Sequence, residues 1–185
     1  MGEPKPRLEF GGEPLLQRVL RPLVTLFDDV FVVASDPGLP AHGVSVWPDL
    51  ADGGPLAGVL TALAHAQAPH CLVVACDMPF LSAPLLRWMT ELAAGHDAVA
   101  IRDERGWHPL HAIYARAAAP QLEARLASGE RSLQPLFDIL NTREITKDEL
   151  SRFVRPGRDP LLNLNTPADL AAARAALTAG GAPIA

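Results

Sequence analysis

The stretch that most constrains this chain is the apolar run at residues 72–75, followed by Cys76-Asp77-Met78-Pro79-Phe80. A short continuous apolar run that ends in a proline turn predicts a strand buried on both faces, as in parallel sheets. Ligands of α/β folds bind outside the carboxyl ends of such strands, where Asp77 would lie. A carboxylate there could hold Mg²⁺, which proteins usually bind through one or two carboxylates plus substrate oxygens. Asp77 could equally cap the turn before Pro79.

Strand and helix signals alternate along the whole chain. Further strands are predicted at residues 30–34, 44–46, 98–101, 107–114 and 161–165, the first of them also buried. Helices are predicted at 14–27, 83–94, 120–127, 133–140 and 166–180, and a glycine-rich segment at 52–58 leads into another that reaches residue 66. Pro22 predicts a kink or break in its helix, Ser82 a cap, and Thr166-Pro167-Ala168-Asp169 a capping sequence. The alternation predicts one domain over residues 1–185, built as a three-layer α/β sandwich with a Rossmann-like, mostly parallel sheet.

Charge and hydropathy narrow the possible partners and locations. The net charge of −5 gives no general attraction to nucleic acid or to an anionic membrane surface. No apolar run approaches the roughly 18 residues that a membrane-spanning helix needs, and residues 1–10 lack the apolar core of a signal peptide. We therefore expect no nucleic-acid or membrane partner and a cytoplasmic location.

Polar residues recur in the loops after strands or before helices: Lys5, the segment 49–58, Asp77, and Asn163 with Asn165. In a parallel α/β sheet these loops could meet at one edge. Glycines ahead of a helix allow a ligand to approach its N-terminus closely. Each feature also has a plain structural interpretation, since Lys5 could be a solvated terminal lysine and the two asparagines could bond loop backbone.

Six motifs occur in the order and spacing of a known family: Met1-Gly2-x-x-Lys5; Glu9-Phe10-Gly11-Gly12-x-Pro14-Leu15; Gly54-Pro55-Leu56-Ala57-Gly58; Ala75-Cys76-Asp77-Met78-Pro79-Phe80; Gly129-Glu130-Arg131-Ser132; and Asn163-Leu164-Asn165-Thr166-Pro167. Together they resemble the MobA family, the nucleotidyltransferases that make molybdopterin guanine dinucleotide. The resemblance covers nearly the whole chain. It implies a nucleotide-diphospho-sugar transferase type of fold, with GTP and the molybdopterin cofactor as substrates.

The resemblance implies a Mg²⁺-dependent reaction in which the molybdopterin phosphate attacks the α-phosphorus of GTP and pyrophosphate leaves. It assigns catalytic roles to Lys5, which holds the nucleotide phosphates, and to Asp77, the metal ligand. The implied nucleotide contacts are Ser35, Asp49, Leu56, Ala57 and Gly58. The implied contacts to the pterin substrate are His108, Arg131, Asn163 and Asn165, and the two asparagines could instead lie near the metal. Other cofactor-biosynthesis proteins or apo-molybdoenzymes are further implied partners.

Several of these assignments have alternatives. Arg131 could be a surface charge or a fork for the pterin phosphate. His108 and His111 could pack or bridge rather than bind a metal. Ser35 stands where the family often has asparagine against guanine, which leaves the base preference open. Cytidylyl transfer, sugar-phosphate nucleotidyl transfer and non-catalytic binding of the pterin cofactor are the alternative functions.

The family pattern includes a first strand and a glycine-rich phosphate loop upstream of its Met-Gly-x-x-Lys motif, and neither is present in this sequence. The family strand lies centrally in the sheet. Without it, we expect backbone partners and apolar surface of the neighbouring strands to be left exposed.

Overall fold

The computed structural model describes residues 4–39, 41, 43–50 and 52–179. Met1 and Gly2 of the first motif, and the predicted end of the last helix at Gly180, lie outside these residues. Six strands are described: β1 (Phe31–Val33), β2 (Ser45–Trp47), β3 (His70–Val74), β4 (Ala98–Asp103), β5 (Gly106–Ala115) and β6 (Thr142–Ile145). Six α-helices accompany them: α1 (Leu15–Leu26), α2 (Gly54–His65), α3 (Ala83–Glu91), α4 (Ala119–Ala127), α5 (Lys147–Ser151) and α6 (Pro167–Ala179).

Four strands form one sheet in the order β3-β5-β4-β6. The β4–β6 pairing is parallel, whereas β5 runs antiparallel to both β3 and β4. Strands β1 and β2 form a separate parallel pair. Because β4 and β5 are joined by a short turn, they form a hairpin, which requires antiparallel pairing.

Helices cover both faces of the four-stranded sheet. Along β4, Ala98 and Ala100 pack in a cluster with α2 and α4, while Val99 and Ile101 pack in another with α3 and α5. Successive strand residues point to opposite faces, so this alternation places one helical layer on each side. The predicted three-layer α/β sandwich is confirmed.

A third apolar cluster joins the two sheets. The buried face of α1, with Leu16, Val19, Leu20 and Leu23, packs against half-buried side chains of β1, β2 and β3. Within the described residues no ladder pairs β1 with β3, so each presents one strand edge without a β partner. Every residue of β1 and β3 is partly exposed, so the prediction that these strands are fully buried is wrong. The physical reason is that both strands lie at sheet edges.

Three local predictions also fail. Pro22 does not break its helix, since α1 continues uninterrupted to Leu26, and the alternative of a kink stays a prediction. The segment 133–140 contains a short 3₁₀-helix, Gln134–Asp138, with a proline near its start, rather than an α-helix. Residues 161–165 form no strand, because the chain turns there and the amide of Asn165 bonds back to the carbonyl of Asn163, 3.2 Å away. No helix in the described ranges is long and apolar enough to cross a membrane.

Candidate active site

Three side chains that are remote in sequence meet at the carboxyl end of β3. The Lys5 ammonium donates to Asp77 Oδ2 at 2.7 Å and to Asn165 Oδ1 at 2.6 Å. The Asp77 side chain is 13% exposed and that of Lys5 34%. We call these three residues the Lys5 cluster. The structure thus brings together three of the predicted site residues: the phosphate-binding lysine, the metal-binding aspartate and an asparagine expected near the pterin or the metal.

Each member of the Lys5 cluster is held by its own segment. Asp77 follows β3, and its backbone carbonyl accepts a hydrogen bond from the amide of Leu164 at 2.9 Å. That bond docks the segment carrying Asn165 beside the segment carrying Asp77. Lys5 begins a short 3₁₀-helix, and Arg7 in the same turn pairs with Asp36 at 3.0 Å, beyond the end of β1.

Asn165 is fixed by the cap of α6. Asp169 Oδ2 accepts the amides of Thr166 at 2.7 Å and Asn165 at 3.1 Å, and the Thr166 hydroxyl accepts the amide of Asp169. The predicted capping sequence is confirmed. Asp169 therefore both completes the cap of the helix and fixes the position of Asn165.

Asp77 suits a hard cation. Its Oδ1 is buried and has no hydrogen-bond partner among the described residues, and its Oδ2 faces the Lys5 ammonium. A buried carboxylate oxygen without a partner is costly unless a ligand satisfies it. The described residues contain no group of three acidic, histidine or cysteine side chains that could hold a metal by themselves. One carboxylate and the Asn165 carbonyl would leave the remaining positions to phosphate oxygens and water, as Mg²⁺ prefers.

Asn163 lies next to the Lys5 cluster but bonds its own loop. Its side-chain amide donates to the carbonyl of Leu161 at 3.2 Å. Asn163 therefore bonds loop backbone, as one of the two interpretations predicted. Asn165, in contrast, belongs to the Lys5 cluster. The two side chains were expected on one strand face, and the turn between them is the reason that they separate.

The predicted base-contact segment forms the first turn of α2. Leu56 and Ala57 are buried at 0% and 1% exposure, so only their backbone groups remain for a ligand. The first N–H groups of a helix have no acceptor within it, and no described side chain caps α2, whose N-cap residue is Gly53. Gly58 lies beside Asp49, since a methyl group at position 58 would lie 3.5 Å from Asp49 Oδ1.

Asp49 is held in place by the next residue. The amide of Leu50 donates to the buried hydroxyl of Thr61, which in turn donates to the carbonyl of Ala57, both at 2.9 Å. The segment that follows β2 is thereby fixed to α2. Ser35 lies exposed just beyond the end of β1.

Arg131 lies at the start of α2 rather than in the Lys5 cluster. Its Cδ would lie 3.7 Å from a methyl group on Gly53, and its guanidinium donates to the carbonyls of Leu126 and Glu130 at 3.2 and 3.0 Å. These bonds leave the exposed guanidinium close to a helix N-terminus, where an anion would be stabilised.

The two histidines of β5 bridge and pack. His108 Nε2 lies 2.9 Å from Asp103 Oδ2 across the β4–β5 hairpin. His111 is completely buried, and burial, aided by the neighbouring His108, lowers its pKa to about 4. His111 is therefore neutral near pH 7.

Sequence analysis missed Arg18, whose Nε donates to the carbonyl of Pro79 two residues beyond Asp77, at 2.9 Å. The available signal was an arginine three residues after the buried Leu15, and therefore at helical spacing from it, in the apolar helix α1. An arginine on an apolar helix face needs a partner in the interior.

Comparison with known proteins gives consistent names. Residues 1–145 match the model of the MobA-like NTP transferase domain. A probable molybdenum cofactor guanylyltransferase of Pelotomaculum thermopropionicum is 34% identical over 177 residues, which cover 94% of this chain and 85% of that protein.

Solved structures agree with the fold. Molybdopterin-guanine dinucleotide biosynthesis protein A of Archaeoglobus fulgidus superposes with a TM-score of 0.82 at 28% identity, over 96% of this chain and 92% of that one. A Mycobacterium tuberculosis protein solved in complex with manganese superposes with a TM-score of 0.67 at 19% identity, over 93% and 91% of the two chains. The second likeness concerns the fold alone.

Proposed function

This chain belongs to the MobA-like NTP transferase family and is a nucleotidyltransferase, and we propose that it transfers GMP from GTP to the phosphate of the molybdopterin cofactor. A phosphate oxygen of the pterin attacks the α-phosphorus of GTP. The bond from that phosphorus to the bridging oxygen breaks, and pyrophosphate leaves with the bond electrons. The product is molybdopterin guanine dinucleotide.

The observation that carries this proposal is the Lys5 cluster. Displacement at phosphorus needs positioning and charge neutralisation more than covalent help. Asp77 Oδ1 and Asn165 Oδ1 would hold a magnesium ion, which supplies positive charge to the phosphate oxygens. Lys5 then turns from Asp77 toward the leaving pyrophosphate, where a flexible point charge suits a moving anion.

The start of α2 is our candidate for the nucleoside end. Free backbone N–H groups in its first turn, near Leu56 and Ala57, would read guanine, and the bare Gly58 lets the ligand approach. Asp49, tied beside Gly58, lies within reach of the same ligand. Ser35 offers a hydroxyl donor and acceptor at the neighbouring strand end, with a shorter reach than asparagine.

The remaining predicted residues are proposed to contact the pterin substrate. Arg131 presents a guanidinium that suits the pterin phosphate. Asn163 and His108 are proposed to line the same substrate, Asn163 because it borders the Lys5 cluster and His108 through the family pattern. We further propose a cytoplasmic location, with apo-molybdoenzymes or other cofactor-biosynthesis proteins as recipients of the product.

We also propose that the complete domain contains a strand between β1 and β3, followed by a phosphate-binding glycine loop. The support is in the sheet: both strands present unpaired edges, yet their side chains already share one apolar cluster with α1. A strand inserted there would join the two sheets and bring backbone N–H groups to the phosphates.

The decisive experiment measures pyrophosphate release and dinucleotide formation with the pterin cofactor, Mg²⁺ and each of GTP, CTP and ATP. We expect turnover with GTP alone. Turnover with CTP alone would reassign the chain to cytidylyl transfer. Because the phosphate loop is part of the proposal, a chain extended upstream is assayed beside this one.

A measurement of ligand binding distinguishes the transferase from the alternative of a non-catalytic protein that binds the pterin cofactor. A ligand at a hundred times its dissociation constant stabilises the folded state by about 2.7 kcal/mol, which a thermal melt detects. We expect GTP with Mg²⁺ to raise the melting temperature. A rise with the pterin cofactor and none with any nucleotide, in the extended chain as well, would contradict the transferase proposal.

A further inference from the structure

Arg18 lies in the interior although it carries a charge. Its side chain is 14% exposed, and its guanidinium lies 5.2 Å from the ring centre of Phe10 and 5.9 Å from that of Phe80. The two rings themselves meet edge to face, with centres 5.8 Å apart. A guanidinium over aromatic faces is stabilised by the ring quadrupoles, the more so when water is excluded.

The hydrogen bonds of Arg18 run in two directions. Its Nε donates to the carbonyl of Pro79 at 2.9 Å, and its Nη1 donates to Glu13 Oε1 at 3.3 Å. The other carboxylate oxygen of Glu13 accepts from Arg21 on the surface. Burial lowers the pKa of Arg18 while Glu13 acts in the opposite sense, and arginine stays protonated in proteins.

These contacts join the two segments that form the Lys5 cluster. Phe10 follows the turn of Lys5, with the amide of Leu15 bonded to the carbonyl of Leu8 between them at 2.8 Å. Pro79 and Phe80 belong to the turn that carries Asp77. On its other side that turn is held by the bond between Leu164 and Asp77. On the α1 side, Arg18 therefore contacts both the lysine segment and the aspartate turn, next to the direct contact between Phe10 and Phe80.

We propose that Arg18 is a positioning residue that holds the Asp77 turn against the Lys5 segment, so that Asp77 presents Oδ1 to the metal and, before ligands bind, Oδ2 to Lys5. This inference rests on the proposed function of the site. Only arginine combines a flat face for two rings with in-plane donors to Pro79 and Glu13. Lysine keeps the charge but cannot make both donations and the stacking together.

The test titrates Mn²⁺ into the protein by electron paramagnetic resonance, with GTP present, and measures the Mg²⁺ dependence of turnover on the same samples. For Arg18→Met we expect Mn²⁺ to bind about tenfold more weakly, as when residues supporting metal ligands are removed. The Mg²⁺ needed for half-maximal rate should rise in parallel, and the KM for GTP at saturating Mg²⁺ should change far less. Arg18→Lys should recover part of the metal affinity.

Arg21→Met is the matched control, since Arg21 lies on the same helix, shares Glu13 and is 60% exposed. It should bind Mn²⁺ as the unaltered chain does. If Arg18→Met does not fold, Arg18→Lys carries the test, with an expected loss of metal affinity at an unchanged melting temperature. Unaltered Mn²⁺ affinity in the Arg18 variants would overturn the inference alone, whereas an unaltered chain that turns over without any divalent metal would overturn the proposed function.

Discussion

At the scale of the residue, the two carboxylate oxygens of Asp77 have different surroundings. One is bonded to Lys5 and the other is buried without a partner. A carboxylate that served only to cap its turn would accept backbone N–H groups. The unequal environments therefore favour the ligand interpretation over the capping one.

Asp77→Asn keeps the shape of the side chain and removes its charge. We expect guanylyl transfer to fall by about a hundredfold or more, because metal charge contributes several kcal/mol to such transition states and about 1.4 kcal/mol is a factor of ten. The fold should persist, because asparagine keeps a side-chain oxygen that can accept from Lys5, and the Lys5 side chain is 34% exposed. Rate assays with circular dichroism check both, and full turnover in the variant would contradict the assignment.

The hydroxyl of Thr61 holds another part of the candidate site in place. In Thr61→Val the amide of Leu50 loses its acceptor, which we expect to lower the free energy of unfolding by about 1–2 kcal/mol and to raise the KM for GTP by loosening Asp49. Urea denaturation measures the first effect, through a lower midpoint at unchanged slope.

Thr25→Val is the matched control for that change. Thr25 also donates to the carbonyl four residues earlier, at 2.9 Å, but it is exposed and lies on α1. Its loss should cost less than about 0.5 kcal/mol. Equal effects of the two substitutions would show that the bond to Leu50 has no special role.

At the scale of the element, α6 couples its own cap to the site. The Thr166 amide and hydroxyl, together with the Asn165 amide, hold the pKa of Asp169 below its ordinary value of 3.8. A carboxyl with a depressed folded pKa stabilises the folded state fully above its unfolded pKa. That stabilisation is lost as the pH falls through the folded pKa.

The corresponding prediction compares the free energy of unfolding of the unaltered chain and Asp169→Asn from pH 7 to pH 2. The unaltered chain should be more stable at pH 7, and the difference should shrink below pH 3.8. A difference that stays constant across this range would mean that the cap does not depend on the charge of Asp169.

Features formed by residues close together in sequence, such as helix caps, were predictable from the sequence. Thr166 with Asp169 marked the start of α6, and Ser82 caps α3 as expected. Lys5, Asp77 and Asn165 could be grouped through a family pattern, although their separation in sequence hides the contact. Features that depend on tertiary neighbours were not predictable. The exposure of β3 depends on what pairs with its free edge, and the burial of Arg18 depends on two rings from distant segments.

At the scale of the whole molecule, the two sheets differ in how well their strands are supported. β4 and β5 each have a partner on both sides, and Val99, Ala100, Ala112 and Ile113 are 0–1% exposed. The β1–β2 pair has three paired residues in each strand, and in the described part of the chain it joins the larger sheet through side-chain packing in the cluster under α1 and not through a strand ladder.

Hydrogen exchange should reflect this difference. Amides of β4 and β5 should exchange most slowly, with opening free energies close to the free energy of global unfolding. Amides of β1 and β2 should exchange much faster. In the chain extended upstream, the amides on the unpaired edges of β1 and β3 should become more protected from exchange. Equal protection of both sheets in the present chain, or no gain on extension, would contradict the proposal of an inserted strand.

At the proposed site, metal binding would be an exchange rather than a simple addition. The ammonium neutralises Asp77 and donates to Asn165, so an incoming cation would displace it, and the released lysine would gain most when a polyphosphate is there to receive it. Nucleotide and metal should therefore bind with positive cooperativity, each raising the affinity of the other by the same factor. Without nucleotide the protein would therefore bind divalent cations weakly, and it would bind them tightly only together with the nucleotide.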